Sequence, residues 1–470
     1  MKEPSSLMWF RDDLRVADNP ALSAAMAAGP AVALFILDEQ SPGIRPLGGA
    51  AKWWLHHGLN ELRDSLAGLG VPLLLYRGAA TNILPGLLAT GSFNALHFNR
   101  RYGGPERAVD TAAKALAAAA GIDVHSHAGT LLHEPWTVAT QGGTNFKVFT
   151  PFHNALQALP LRRALPRPHA QHAPAISLPA EELAAWDLLP VHPDWSHGLA
   201  ATWVPGEAAA RERLGTVLED IAGDYAETRD RPDTDGTSRL SAALRWGHLS
   251  PVEVWEALAS TLAEHPERAA GARAMMRQLA WRDFCWNLLY HHPELPTANL
   301  RAEFDAFEWA WPPTGEASGG QDAEIVRHLE AWRTGMTGFG LVDAGMRQLW
   351  ETGWMHNRVR MVTASFLVKN LGIHWRVGEE WFWDTLVDAD AASNPANWQW
   401  VAGCGADASP FFRVFNPLLQ ARKFDPRGSY IAGFAPLSPG GPIVDLMASR
   451  ADALAAHARM KEGMRPDPMW

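Results

Sequence analysis

Residues 93–129 read FNALHFNRRYGGPERAVDTAAKALAAAAGIDVHSHAG: a β-rich run, a helix-like stretch from PERAVD to a glycine, and a second β-rich run. The same alternation fills the first 130 residues. SLMWF (6–10) is followed by the helix-like PALSAAMAAG (20–29) and then by AVALFILD (31–38). LRDSLAGLG (62–70) precedes VPLLLYRG (71–78). Strands alternating with helices of this length imply βαβ units and a Rossmann-like parallel sheet covered on both faces. Glycine or proline sits at several junctions, as helix stops and starts require. No GxGxxG opens a helix here, so the sheet carries no dinucleotide fingerprint.

Beyond the sheet the pattern changes. Residues 131–207 read as an interdomain linker, rich in Pro, His and Ala from about 151 (LPRPHAQHAPAISLPAEE, 165–182), wrapped over the surface. From 208 to 470 the chain reads as an all-α domain. AAARERLGTVLEDIAGDYAETRD (208–230), PVEVWEALASTLAEH (251–265) and ARAMMRQLAWRDFCWNLLYHH (272–292) carry apolar residues at three-to-four spacing. LVDAGMRQLWETG (341–353), closed by Gly353 near its C-cap, and WMHNRVRMVTASFLVKNLG (354–372) follow. PPTGEASGGQD (312–322) reads as a flexible loop inside this half.

The bulk numbers narrow the function. With 470 residues, 47% hydrophobic and 20% charged, the chain builds a sizeable core in two or three domains. No apolar run is long enough to cross a bilayer, and MKEPSSLMWFRDDLRV turns charged too soon for a signal peptide. A cytoplasmic protein without membrane contact is expected. The two cysteines, Cys285 and Cys404, exclude a disulfide framework and a cluster needing four thiolates from this chain. A net charge of −10 argues against a generic nucleic-acid coat but leaves room for a local basic groove. The 22 Trp against 5 Tyr mark either a large aromatic core or an electron path, and without motifs core is the better reading.

Three segments carry candidate chemistry. GTSRLS (236–241), ahead of the helix-like SAALRWG, offers hydroxyls and amides to a phosphate, although an ordinary N-cap explains such a string as well. In GWMHNRVRM (353–361), helical spacing puts Asn357, Arg360 and Met361 on one face while Arg358 points elsewhere. Such an Asn and Arg can bind a polar planar ring and its phosphate. In LVDADAASNPANWQW (386–400), Asp388, Asp390 and Asn394 lie off any amphipathic stripe; a magnesium site is conceivable, but the spacing is not that of an EF-hand loop, and no metal is expected.

Residues 337–390 together with NPANWQWVAGCGADASPFFRVFNP (394–417) resemble the photolyase/cryptochrome family, most of all its class I bacterial photolyases of cyclobutane pyrimidine dimers. The resemblance extends over MWFRDDLRVADNPAL (8–22), KVFTPFHNAL (147–156), GTSRLSAALRWGHLSP (236–251) and LAWRDFCWNLLYHHPEL (279–295). It implies an antenna-binding α/β domain over 1–130 and a helical FAD-binding catalytic domain over 208–470. Tyr225, Thr237, Ser238, Arg239, Leu240 and Ser241 would lie near the FAD phosphates. Gln278, Arg282, Asn357, Arg360, Asp388, Asp390 and Asn394 would surround its rings and sugar. Asp388 would accept from a ring N–H, and Asn394 would face N5. The implied reaction is light-driven electron transfer from reduced FAD to a dimer flipped out of UV-damaged DNA by a monomeric enzyme. Trp281 and Trp400 would stack on the lesion, Asn357 and Met361 would line its pocket, and Arg229, Arg358 and Arg413 would meet phosphates. Trp398, Trp375 and Trp309 match the family's photoreduction chain, with Trp311 as the alternative third member.

One position departs from that pattern. Where class I photolyases place a glutamate three residues before the Trp of LAWRDF, this chain has Gln278. An amide can hydrogen-bond a pyrimidine but cannot carry charge or give up a proton. The family's (6-4) photolyases carry pocket histidines where this chain has Asn357 and Met361, and their bacterial group needs an iron–sulfur cluster. Signalling cryptochromes usually extend well past the helical domain, whereas this sequence stops soon after DLMASRADALAAHARMK (445–461), and Asn394 is the repair-type partner for N5. Repair is therefore the leading reading and a blue-light receptor the alternative. A second chromophore, folate or deazaflavin, is compatible with RRYGGPERAVD (100–110), where Glu106 fits a folate pattern and Pro105 departs from it.

Overall fold

The five β-rich runs become five strands: β1 (Ser5–Phe10), β2 (Ala31–Leu37), β3 (Leu73–Arg77), β4 (Phe93–Asn99) and β5 (Asp123–His127). They form one parallel sheet in the order β3-β2-β1-β4-β5. The structure is a computed structural model, described over residues 5–174, 176, 178–310, 323–408, 412–435 and 440–463. The loop expected at 312–322 and the alternative electron carrier Trp311 lie outside the described residues.

β1 and β2 are buried along their whole length. Met8 and Phe10 face a core under the helices Pro20–Ala28 and Gly49–Ala67, while Leu7 and Trp9 face one under Ala80–Leu88 and Gly104–Ala119. Both faces of each central strand need apolar residues, so these runs read as continuous rather than alternating. The helix Ala80–Leu88 gave no clear signal, because Pro85 inside it forfeits an intrahelical hydrogen bond. Burial of Leu84, Leu87 and Leu88 against the sheet offsets that loss.

The segment after β1 locks the two halves together. Arg15 is 1% exposed and donates to the carbonyls of Asp18, Gly129 and Gly247. Glu207 accepts from the backbone N–H groups of Val16 and Ala17 at 2.7 and 3.2 Å. Asp18 receives Arg162, Ser250 and the Leu165 amide. These are charges that burial would penalise heavily without such partners.

Residues 131–207 do more than span the surface. The helix Phe149–Gln157 buries Phe149, Phe152 and Leu156 in the helical core, beside Phe284 of the helix Ala269–His291. The stretch after it runs along the α/β domain, where Gln171 and Glu181 donate backbone N–H groups to Leu69 and Leu75. In the helical half, Gly340–Thr352 ends at Gly353 with φ of 65°, a left-handed C-cap that favours glycine. Cys285 and Cys404 are buried and unbridged.

His248 sits at the same junction, fully buried. Its Nε2 accepts from Trp54 Nε1 at 3.0 Å, so Nδ1 holds the proton that is donated to the Leu14 carbonyl at 2.9 Å. Burial pushes its pKa down to about 4, against about 6.5 in the unfolded chain. The unfolded state binds the extra proton, so stability is full above about pH 6.5 and falls as pH drops towards 4, by up to about 3 kcal/mol from this group. Urea titrations from pH 7 to pH 4.5 should show that loss, with a shallower pH slope in His248→Gln.

Candidate functional site

A cavity of about 380 Å³ opens in the helical half between the helices Ala269–His291, Asn357–Ser365 and Ser393–Ala402. A second chamber of about 240 Å³ lies behind it. Gln278, Arg360, Asp388, Ser393 and Asn397 line both, so the two chambers adjoin.

Helical geometry explains what faces this space. His356 caps the helix Asn357–Ser365 by accepting from the Arg358 N–H. Asn357, Arg360 and Met361 then line the cavity on one face. Arg358 turns away to Asp230 at 2.6 Å and lies over the Phe424 ring, which engages the guanidinium that was expected to meet phosphate. Arg360 grips both Asp388 oxygens at 3.1 and 2.8 Å and donates to the Met355 carbonyl. Asp390 accepts from the N–H groups of Ala392 and Ser393 at 2.8 and 2.6 Å, which orders the entry to the helix bearing Asn394.

Asn394 Nδ2 donates to the Glu379 carbonyl at 3.0 Å and to its carboxylate at 2.7 Å. Both partners are acceptors, so the amide nitrogen must face them and Oδ1 is left for the cavity.

Tyr225, Ser238, Leu240, Ser241 and Arg282 line the rear chamber with Asp388 and Asp390. Arg213 pulls on the carbonyls of Thr237 and Ser238 at 2.9 Å each, holding that turn in place. Thr237 and Arg239 are outside the lining, with Arg239 over the Trp354 ring and paired with Asp235. The phosphate site expected at a helix start is weaker than its sequence suggests. The helix Ser241–Arg245 has five residues and no side-chain cap.

At the mouth, Trp281 and Trp400 stand on neighbouring helices with their N–H groups donated to Asn397 and to the Asp407 carbonyl. Arg229 is at the rim, whereas Arg413 is exposed over Phe415 and outside the lining. Arg277 was missed. It lines the cavity with its guanidinium 4.7 Å from the Phe149 ring.

Trp398 lines the cavity and Gly378 passes so close to it that a Cβ there would meet the indole at 2.2 Å. Trp375 is fully buried, its N–H donated to Asn299 at 2.8 Å. His374 lies between Trp375 and Trp309, with ring centroids 5.4 and 4.8 Å away. Burial pushes its pKa down to about 4, so the ring touching these two indoles is neutral near pH 7. Nothing in the sequence singles it out; its side chain also caps the helix Trp375–Thr385 by accepting from the Arg376 N–H.

Two further clefts, of about 140 and 460 Å³, lie between the α/β and helical halves, and Glu106 lines both. Pro105 lines the larger one.

The lining suits the flavin dinucleotide that the resemblance implies. Asp388 keeps lone pairs for a ring N–H beyond those given to Arg360, Asn394 presents an amide oxygen, and Arg282 with Ser238 and Ser241 offers donors to phosphate. Asp388→Ala would leave the Arg360 charge largely buried without its partner, at a cost of about 2 kcal/mol once the 24% exposure of that side chain is allowed for. Guanidinium denaturation and the fraction of flavin retained through gel filtration should both fall.

Comparison with known proteins gives a consistent result. Residues 6–172 match the DNA photolyase family profile, and residues 275–458 match that of the FAD binding domain of DNA photolyase. A deoxyribodipyrimidine photo-lyase of Agrobacterium fabrum is 43% identical over 98% of this chain and 99% of its own. Cryptochrome-1 of Arabidopsis thaliana is 33% identical over 92% of this chain and 62% of its own. The crystal structure of a bacterial class III photolyase from Agrobacterium tumefaciens superposes with a TM-score of 0.91, at 40% identity, over 98% of both chains. These relatives span a broader group than the class I enzymes that the motifs resemble.

Proposed function

Since the chain belongs to the photolyase/cryptochrome family, we propose that it repairs cyclobutane pyrimidine dimers in DNA under blue light, using FAD held in the helical half. The observation that carries this reading is a pair of adjoining chambers: a rear pocket in which Ser238, Ser241, Arg282, Asp388 and Asp390 face an apolar wall, and in front of it a mouth flanked by Trp281 and Trp400. Reduced FAD supplies a photoexcited one-electron donor when bound there.

The residues of the chain divide the remaining work. Enzymes that act on a base, photolyases among them, take it out of the stack at a cost of a few kcal/mol. Trp281 and Trp400 offer flat faces that recover part of that cost, since stacking on an aromatic is worth about 1–3 kcal/mol per base. Asn357 and Gln278 present amides to the pyrimidine edges, and Met361 fills the wall. Arg229 and Arg277 put cations at the rim for backbone phosphate, although the net charge of the chain is −10. Arg360 sets a positive charge beside the ring pocket and Asp388 orients it. Trp398, Trp375 and Trp309, with His374 between the last two, make a route by which oxidised flavin is recharged from the surface. An antenna chromophore between the halves, beside Glu106, fits the same scheme.

A second reading, a cryptochrome-like receptor, is favoured by one observation: the neutral Gln278 at the mouth, in place of an acid. One assay separates the two. A dimer-containing oligonucleotide should be repaired by the wild type under blue light with reduced flavin, and several-fold faster by Gln278→Glu, which restores a charged hydrogen-bonding partner. Light-driven flavin reduction without any turnover, on single- and double-stranded substrate alike, would favour the receptor. Trp398→Phe should lose light-driven flavin reduction by at least tenfold, yet keep repair once the flavin is reduced chemically.

A further inference from the structure

The amide of Asn394 is oriented by Glu379, and Glu379 is itself held from the other half of the molecule. Arg45 belongs to the α/β domain, in the loop that leads into the helix Gly49–Ala67. Its two terminal nitrogens meet the two Glu379 oxygens at 2.8 and 3.0 Å. Its guanidinium lies 4.2 Å from the Trp383 ring centroid, and the Trp383 N–H returns to the Pro46 carbonyl at 2.8 Å. The Glu379 side chain is 2% exposed, whereas Arg45 is 32% exposed. A buried carboxylate is therefore tied to a cation that remains within reach of the interdomain clefts.

We infer that Arg45 is a positioning residue for the flavin site, holding Glu379 as a carboxylate so that Asn394 keeps its oxygen towards the cavity. This rests on the reading that the cavity binds flavin. The logic is one of donors and acceptors. A carboxylate at 379 can only accept, which fixes the amide with its nitrogen inward and its oxygen ready for the N–H of a reduced ring. Burial already pushes the Glu379 pKa up, with Arg45 the main group opposing it; without Arg45, burial and the neighbouring Glu380 favour the protonated acid further. A protonated acid can donate to Asn394 Oδ1; the amide then turns over, giving up its bond to the Glu379 backbone carbonyl, and an N–H₂ faces the ring instead. That arrangement suits the oxidised ring, which accepts at the same edge. The α/β domain thus sets the redox balance of a cofactor it does not touch through any residue of the cavity lining.

The test uses the full-length protein with bound flavin, in Arg45→Gln, Arg45→Lys and the double variant Arg45→Gln/Glu379→Gln. Infrared spectra at pH 7 should show a carboxylic-acid carbonyl band in Arg45→Gln that the wild type lacks and the double variant loses. Dye-equilibrated redox titration should find the ratio of fully reduced to oxidised flavin lowered at least tenfold in Arg45→Gln. Arg45→Lys, which keeps the cation, should restore most of it. A change in packing alone would yield neither the band nor its loss in the double variant. Absence of the band in Arg45→Gln, or an unchanged redox balance despite it, overturns the inference. Failure of the functional reading would show separately, as wild-type protein that retains no flavin or repairs no dimer, while the infrared comparison still reports on Arg45 and Glu379 in flavin-free protein.

Discussion

The chain buries charge at the seam between its halves, and nearly everything else in the structure is placed by how that charge is satisfied. Arg15, Asp18 and Glu207 sit where water cannot reach them, and each is answered by backbone or side-chain groups from distant parts of the sequence. Leaving one unanswered would cost several kcal/mol. The seam therefore closes in one register only, with the α/β domain and the helical half at fixed positions. Arg245 extends the same network towards the cavity. It pairs with Asp12 at 2.6 Å and donates to the Ala389 carbonyl at 2.8 Å, between the two aspartates of the site.

That coupling matters for a cofactor enzyme, whose protein part supplies orientation and electrostatics while the cofactor supplies the chemistry. The donors and acceptors around the chambers are held by bonds within the chain. Asp388 is gripped by Arg360, Asn394 by Glu379, and the Thr237–Ser238 turn by Arg213. A site built this way has little left to order when its ligand arrives. The Trp-rich half serves two ends at once. Trp332 and Trp375 are wholly buried and fill the core, while Trp281 and Trp400 stand at the mouth with their N–H groups already engaged.

Much of this was legible in the linear sequence. The parallel sheet followed from apolar runs of strand length separated by helical stretches, because strands buried on both faces cannot alternate. The shared face of Asn357, Arg360 and Met361, and the outward turn of Arg358, followed from helical spacing. What escaped has identifiable causes. The helix Ala80–Leu88 was hidden by Pro85, whose cost is offset by tertiary burial that no local pattern records. Phe149 and its helix sat inside a stretch with linker composition, yet they pack into the catalytic half. Arg358 and Arg413 carry the right charge for phosphate, but Arg358 pairs with Asp230 across the fold, where no local pattern shows it, and Arg413 lies over the Phe415 ring.

The sequence by itself determined the class of each half, the family to which they belong and most of the polar groups that the fold brings to the two chambers. Local periodicity and short motifs contain that information, because helical and strand spacing decide which neighbours share a face. Tertiary structure alone decided which of those groups are free to act. Arg45 lies 334 residues from Glu379, and His374 gains meaning only from the rings on either side of it. Whether a side chain is a ligand, a brace or a spent ion-pair partner depends on what it meets across the fold, and hydrogen-bond satisfaction in a buried space settles that among residues far apart in the chain.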